Sequence, residues 1–485
     1  MLSPLAVVAL VGRFVLLFAL LMLVPLAFAV IGDDAAKGAF MTATVLTLAA
    51  GAAMVVLARR FRRELQARDG FVLVTLTWLL LPAFGALPLL LAMPSLSVTD
   101  AYFEAMSSFT ATGATALSGL DALPLSVNVW RCFLQLVGGL GIIVLAVAIL
   151  PLLGVGGTQL FKTEMPGPMK DQKLTPRIAE TARGLWVIYF VFAVLCFFAY
   201  RLAGMNWADA FMHMCTTMGL GGFSSHDLSY GYWDSPAIEA VAVVFMLLSG
   251  VSFALYFLAW RQGSLRILWC DVEVRSFYAV VIGAVLLISV YLTVNGTYES
   301  YPQALRYSVF HVVSIATTTG YASADYAQWP LFAPFLMLLL GCFATCAGST
   351  GGGIKMIRLL VLLKQARREL VRIVHPNVVN PVLIGRAVVN PKVIHSVLAF
   401  MMIYGATLVT LTMLLLFSGL DVVTAFTAVV ACVNNIGPGL GNIGPVHNYG
   451  SFSDFQTWVC TFGMMLGRLE LLAVLVLFTR QFWRG

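Results

Sequence analysis

Four short stretches of this sequence offer the same chemistry: Thr110-Ala111-Thr112-Gly113, Thr216-Thr217-Met218-Gly219, Thr317-Thr318-Thr319-Gly320 and Asn434-Asn435-Ile436-Gly437. Each sets polar or small residues beside a glycine, and glycine frees the backbone to aim its carbonyl oxygens in one direction. A ring of such oxygens replaces the water around a cation. The ring is expected to comprise Ala111, Thr112 and Gly113; Thr217, Met218 and Gly219; Thr318, Thr319 and Gly320; and Asn435, Ile436 and Gly437. A lone T-x-T-G would carry no weight, because membrane helices use Gly and Thr at packing contacts. Here each turn follows an apolar or amphipathic stretch too short to span a bilayer, at 100–110, 207–216, 302–317 and 421–433, so the unit is an internal fourfold repeat. Each short helix would point its partly negative C-terminal end at a common centre, which favours a cation.

A second group is Gly348, Ser349, Thr350, Gly351, Gly352 and Gly353, followed by Lys355, inside an apolar run from Leu331 to Leu363. Consecutive glycines disfavour a helix by roughly 1 kcal/mol each relative to Ala, so the run is expected to break there, as a loop or a packed kink. A phosphate-binding loop is excluded, since Ile354 separates Gly353 from Lys355. Arg468 lies deep in the last apolar run with Glu470 as neighbour. Such an arginine faces a cavity or a partner, as a barrier to cations or as a structural group bonded to loop carbonyls or to Glu470. Asp209 and Asp421 precede short helices and are expected N-caps. His213, His311 and His447 make no metal-binding spacing, and the eight cysteines contain no C-x-x-C pair. Neither H-E-x-x-H nor G-x-S-x-G occurs, which argues against an enzyme.

The elements that position these residues are set by composition. Apolar residues make up 60% and charged residues 11%, against roughly 45–50% and about 25% in soluble domains. Soluble globular proteins and disorder are excluded. The net charge of +7 does not indicate nucleic acid, because the basic residues punctuate apolar runs instead of forming a patch. Runs long enough to span occur at 4–31, 38–58, 71–93, 128–153, 184–203, 236–260, 276–295, 331–363, 393–419 and 456–479. Ala27-Phe28-Ala29 looks like a signal-peptidase site, but Arg13 sits inside the first run, so a retained helix is expected. Basic clusters follow the even-numbered runs, from Arg59 to Arg68, Lys162 to Arg183, Arg261 to Arg275, Lys355 to Lys392 and Arg480 to Arg484, which places both termini in the cytoplasm. The opposite side is acidic, with Asp33, Asp34, Asp100, Glu104, Asp121, Asp209, Asp227, Asp234, Glu299, Asp325, Asp421 and Asp454. A negative mouth concentrates cations.

The fold expected is an all-α polytopic membrane protein. Four pseudo-repeated units of helix, pore helix, filter loop and helix surround one pore, and two extra transmembrane helices precede them. The divisions are 1–70 for the extra helices, 71–160, 161–270 with its preceding cytoplasmic loop, 271–375 with the glycine loop, and 376–485.

With the four turns, the motifs Phe161-Lys162-Thr163-Glu164-Met165-Pro166-Gly167-Pro168, Leu174-Thr175-Pro176-Arg177, His375-Pro376-Asn377, Gly348 to Lys355 and Gly467-Arg468-Leu469-Glu470 resemble the Trk/Ktr/HKT superfamily of potassium transporters, on its Trk branch. The resemblance implies K+ uptake across the bacterial inner membrane, by a channel or an H+- or Na+-coupled symporter. It implies a homodimer on a cytoplasmic ring of TrkA-like nucleotide-binding subunits, the nucleotide sitting on that partner and this chain holding no cofactor besides the transported K+. It makes the glycine loop a gate. Relatives that prefer Na+ carry serine at the first filter glycine; this chain keeps Gly113, which by resemblance favours K+. Met218 and Asn434-Asn435-Ile436 depart from the Thr-rich pattern, so the filter is expected to be only pseudo-fourfold.

Overall fold

The computed structural model describes residues 4–58, 67–144, 174–385 and 387–484. Their regular structure is helical apart from one antiparallel pair, β1 (Leu383–Ile384) and β2 (Ala387–Val388). The motif at 161–168 and the basic residues Arg59, Arg60, Arg62, Arg63, Lys162, Lys170, Lys173 and Arg386 lie outside the described residues.

The chain begins with α1 (Pro4–Leu21), α2 (Leu23–Ile31) and α3 (Lys37–Ala58). Lipid offers no hydrophobic drive for helix pairing, so close contact does the work. Gly12 and Gly51 supply it between α1 and α3: a Cβ on Gly12 would lie 2.8 Å from the Met54 Cβ. The first unit is α4 (Ala67–Ala92), the short α5 (Val98–Phe109) and α6 (Leu125–Val144). The second is α7 (Leu174–Ala203), the short α8 (Trp207–Gly219), α9 (Pro236–Ser249) and α10 (Phe253–Gln262). After α11 (Arg266–Cys270) come α12 (Val272–Val294), the short α13 (Tyr301–Ala316), α14 (Phe332–Gly341) and α15 (Met356–Val374). The last unit is α16 (Pro391–Phe417), the short α17 (Val422–Val433), α18 (Asp454–Arg468), α19 (Leu472–Leu475) and α20 (Arg480–Trp483).

Seven helices among the described residues are long and apolar enough to cross a membrane, and the chain is a multi-pass membrane protein. Three further apolar runs are broken. α9 and α10 meet at 83°, and α18 and the α19 segment at 105°. Between α14 and α15 the chain has no helix from 342 to 355. The glycine run explains the third break. The break after α18 has another origin, since Glu470 and Leu471 adopt left-handed φ of 56° and 49°.

Three of the short helices start at side-chain caps: Ser97 accepts from Asp100 N, Asn206 from Asp209 N, and Asp421 from Thr424 N. The cap of α8 is therefore Asn206. Asp209 stands in the first turn, with its carboxylate accepting from Ser225 Oγ at 2.7 Å. α13 instead carries Pro302 in its first turn, where a missing N–H costs nothing.

Candidate functional site

The C-terminal ends of the four short helices are built alike. Ala111 N donates to Ser108 O and Thr112 N to Ser107 O; Leu220 N to Thr217 O and Gly221 N to Thr216 O; Thr318 N to Ile315 O and Thr319 N to Ser314 O; Asn435 N to Cys432 O and Ile436 N to Ala431 O. This is the Schellman arrangement, which needs a left-handed residue just past the helix. The residues there are Ala111, Leu220, Thr318 and Asn435, with φ of 51°, 52°, 62° and 54°. Two residues on, Gly113, Gly222, Gly320 and Gly437 have φ of 84°, 76°, 86° and 94°.

The second turn is thus Leu220-Gly221-Gly222, three residues later than the sequence alignment on Gly219. Thr217, Met218 and Gly219 form the last turn of α8. Thr217 Oγ1 meets the hydroxyls of Tyr200 and Tyr321 at 2.7 and 3.0 Å. Met218 O accepts from Thr350, and Gly219 lies against α6.

With that register the four turns close on one another. A Cβ built on Gly113 would lie 2.1 Å from Gly221 O, on Gly222 1.9 Å from Thr319 O, on Gly320 2.0 Å from Ile436 O, and on Gly437 2.7 Å from Thr112 O. Each glycine faces a carbonyl-bearing residue of the next turn, and the fourth returns to the first. Four helix C-terminal ends therefore converge on a backbone ring with no room for side chains on its glycines. The four glycines also line a cavity of about 250 Å³, on the side of the segments that follow the turns, with Arg131, His226, Asp227, His447 and Asn448.

Below the ring the 342–355 loop touches all four units. Thr350 Oγ1 donates to Met218 O at 3.0 Å, and Gly352 N to Thr318 Oγ1 at 2.8 Å. Gly352 packs against Asn434. Arg468 donates from one guanidinium nitrogen to Thr350 O at 2.9 Å and from another to Gly138 O of α6 at 3.1 Å. Glu470 pairs with Arg358 instead, so Arg468 is the tether between the loop and the first unit. Within the loop, Ser349 Oγ donates to Cys346 O, Thr345 Oγ1 to Gly352 O, and the Lys355 ammonium to Gly351 O. Gly348 and Gly353 each have φ of 79°, and Gly348 O accepts from Phe253 N where α10 begins.

Some groups that look like mouth charges are internal. Glu104 and Arg131 are fully buried and bonded at 2.6 Å. Glu104 also accepts from Thr115 Oγ1 and Ala116 N, which ties the extended segment leaving the first turn to the Glu104–Arg131 pair. Tyr449 donates to Gly437 O at 2.8 Å, bracing the fourth turn from behind. Outside the spans, His226 bridges Asp121 and Asp209 and stacks on Tyr232 with ring centroids 3.5 Å apart. Burial pushes the imidazole pKa down, but the hydrogen bonds to Asp209 and Asp121 prevail and hold it above its usual value. Partial burial raises Asp121, and the hydrogen bond from His226 outweighs it, leaving the carboxyl below its usual range. His213 and His311 are buried, and no metal-binding group of His, Cys, Asp and Glu occurs among the described residues. The sequence signals none of these pairings.

The family model for TrkH, a cation transport protein, matches residues 36–484. The Trk system potassium uptake protein TrkH of Halomonas elongata is 44% identical over 479 residues, covering 99% of both chains. That of Escherichia coli is 43% identical over 480 residues with the same coverage. The crystal structure of the potassium transporter TrkH from Vibrio parahaemolyticus superposes with a TM-score of 0.92 at 41% identity, covering 100% of both chains.

Proposed function

Because the chain belongs to the TrkH family of cation transport proteins, we propose that it carries K+ into the cell through the ring of Gly113, Gly222, Gly320 and Gly437, with the 342–355 loop as gate. The observation that carries this reading is the closed circuit of four turns at four helix C-terminal ends. Carbonyl oxygens there replace the hydration shell of K+, and the helix ends favour its charge. The cation waits in the outer cavity beside Asp227. Below, the loop lies across the path, and the buried Arg468 and Lys355 oppose a passing cation at short range. Opening needs the loop to leave Met218, Thr318 and Arg468.

The fuller reading includes a homodimer, a TrkA-like cytoplasmic nucleotide-binding ring that moves the loop, a bacterial inner-membrane location and cytoplasmic termini. Family likeness and the basic clusters on one side support these. The deciding experiment is the reversal potential of the purified protein in a bilayer under opposed K+ and Na+ gradients. A channel follows the K+ gradient, and a coupled symporter shifts with the H+ or Na+ gradient. Gly113→Ser adds atoms where a Cβ already meets Gly221 O, and it should lower the K+ to Na+ permeability ratio. An unchanged ratio would remove Gly113 from the filter.

A further inference from the structure

The residue before each ring glycine is Thr112, Gly221, Thr319 or Ile436, and in three turns its side chain braces the turn. Thr112 Oγ1 pairs with Thr110 Oγ1 at 2.7 Å, and Thr319 Oγ1 with Thr317 Oγ1 at 2.8 Å. Ile436 packs on Gly341, where a Cβ would lie 2.6 Å from its Cδ1. The second turn has no such side chain. Gly221 is not required by its torsion, since its φ lies outside the left-handed region. Its space is filled instead by Gln135 of α6: a Cβ on Gly221 would lie 2.4 Å from the amide carbon and oxygen of Gln135.

Gln135 is fully buried, and its amide makes two bonds to the turn. Nε2 donates to Gly221 O at 2.8 Å, and Oε1 accepts from Phe223 N at 3.3 Å. The partners fix which end is which, because Gly221 offers a carbonyl and Phe223 an N–H. Gly221 O is also the oxygen that faces Gly113 across the ring. The amide thus holds a ring carbonyl from one side and the chain beyond the ring glycine from the other.

We propose that Gln135 is a selectivity-determining positioning residue, whose side-chain amide stands in for the side chain that Gly221 lacks and holds the second turn's carbonyl in the ring. The inference rests on reading that ring as the K+ path. Gln135→Met keeps the volume and removes both bonds. It should lower the K+ to Na+ permeability ratio roughly two- to tenfold, the change that goes with the one neutral bond to the ring carbonyl Gly221 O. Gln135→Ala should do the same. In Gln135→Ala combined with Gly221→Thr, the new hydroxyl enters the vacated space and the ratio should recover towards wild type. Gly221→Thr alone collides with the Gln135 amide and should not improve on wild type. Size-exclusion elution and thermal midpoint in detergent establish that each variant is folded. Folded Gln135→Met with an unchanged ratio, or a double variant no better than Gln135→Ala, overturns the proposal. Gly113→Ser measured alongside separates the two levels. If it alters the ratio while the Gln135 variants do not, only the role of Gln135 falls; if none alters it, the filter reading falls as well.

Discussion

Gly352→Ala tests the gate with one carbon atom. Gly352 has an ordinary φ, so alanine introduces no torsional strain and acts through contact alone. The added methyl would lie 2.1 Å from Asn434 O, where carbon and oxygen ordinarily approach to about 3.3 Å. The loop must withdraw by about 1 Å to seat it. That displacement stretches the bonds that hold the loop to its neighbours, Gly352 N to Thr318 Oγ1 at 2.8 Å and Thr350 Oγ1 to Met218 O at 3.0 Å, beyond hydrogen-bonding range. Two neutral bonds contribute about 1 kcal/mol each, so the closed arrangement loses about 2 kcal/mol. The closed-to-open ratio should fall roughly thirtyfold. Rubidium-isotope uptake into liposomes, with the chain alone and no cytoplasmic partner, reads this as a rise in flux. Folded Gly352→Ala with flux at or below wild type would refute the gating argument and leave the loop a packing element.

Four other outcomes follow from the same geometry. Arg468→Met removes the tether to Thr350 O and Gly138 O and should raise partner-free uptake more than Thr350→Val, which loses one neutral bond to Met218 O and should raise it about fivefold; the reverse order would assign the hold to Thr350. Glu104→Gln leaves Arg131 buried without its counter-charge and should cost about 3–5 kcal/mol, read as a lower thermal midpoint; an unshifted midpoint would contradict the pairing. The raised pKa of His226 means its tie is complete below the usual histidine value and is lost as pH rises through the folded one. Hydrogen exchange at 119–123 and 224–228 should therefore show an alkaline step beyond the intrinsic rate in wild type and none in His226→Gln. Charge reversal at Arg367, exposed on α15, and at Arg368 should weaken co-purification with a TrkA-like ring, and undiminished recovery would leave them a role in orientation only.

The turns at Gly113, Gly320 and Gly437 show in the sequence because each glycine follows small or polar residues at the end of a short apolar stretch, and each has a left-handed φ. The second misled because Thr216-Thr217-Met218-Gly219 has the same spelling inside a helix that runs one turn further. Its left-handed residue is Leu220, a residue type that gives no local sign of that conformation. The glycine run foretold the break at 342–355. Nothing in Leu469-Glu470-Leu471 foretells the 105° bend, which coincides with Glu470 reaching Arg358 on a distant helix. Glu104 reads as a mouth charge because its partner Arg131 lies 27 positions away in sequence.

A ring assembled from four copies of one chain would receive every substitution four times, so each tolerated change would have to suit every wall at once. Here the walls are separate stretches of one polypeptide, and Thr112, Gly221, Thr319 and Ile436 occupy equivalent places with different chemistry. Mutation alters the circuit one quarter at a time, and a loss in one quarter can be made good by a neighbouring helix without disturbing the other three. Duplicated genes fused end to end are free to diverge in this way, so such rings can drift in sequence far beyond what their shared backbone geometry reveals.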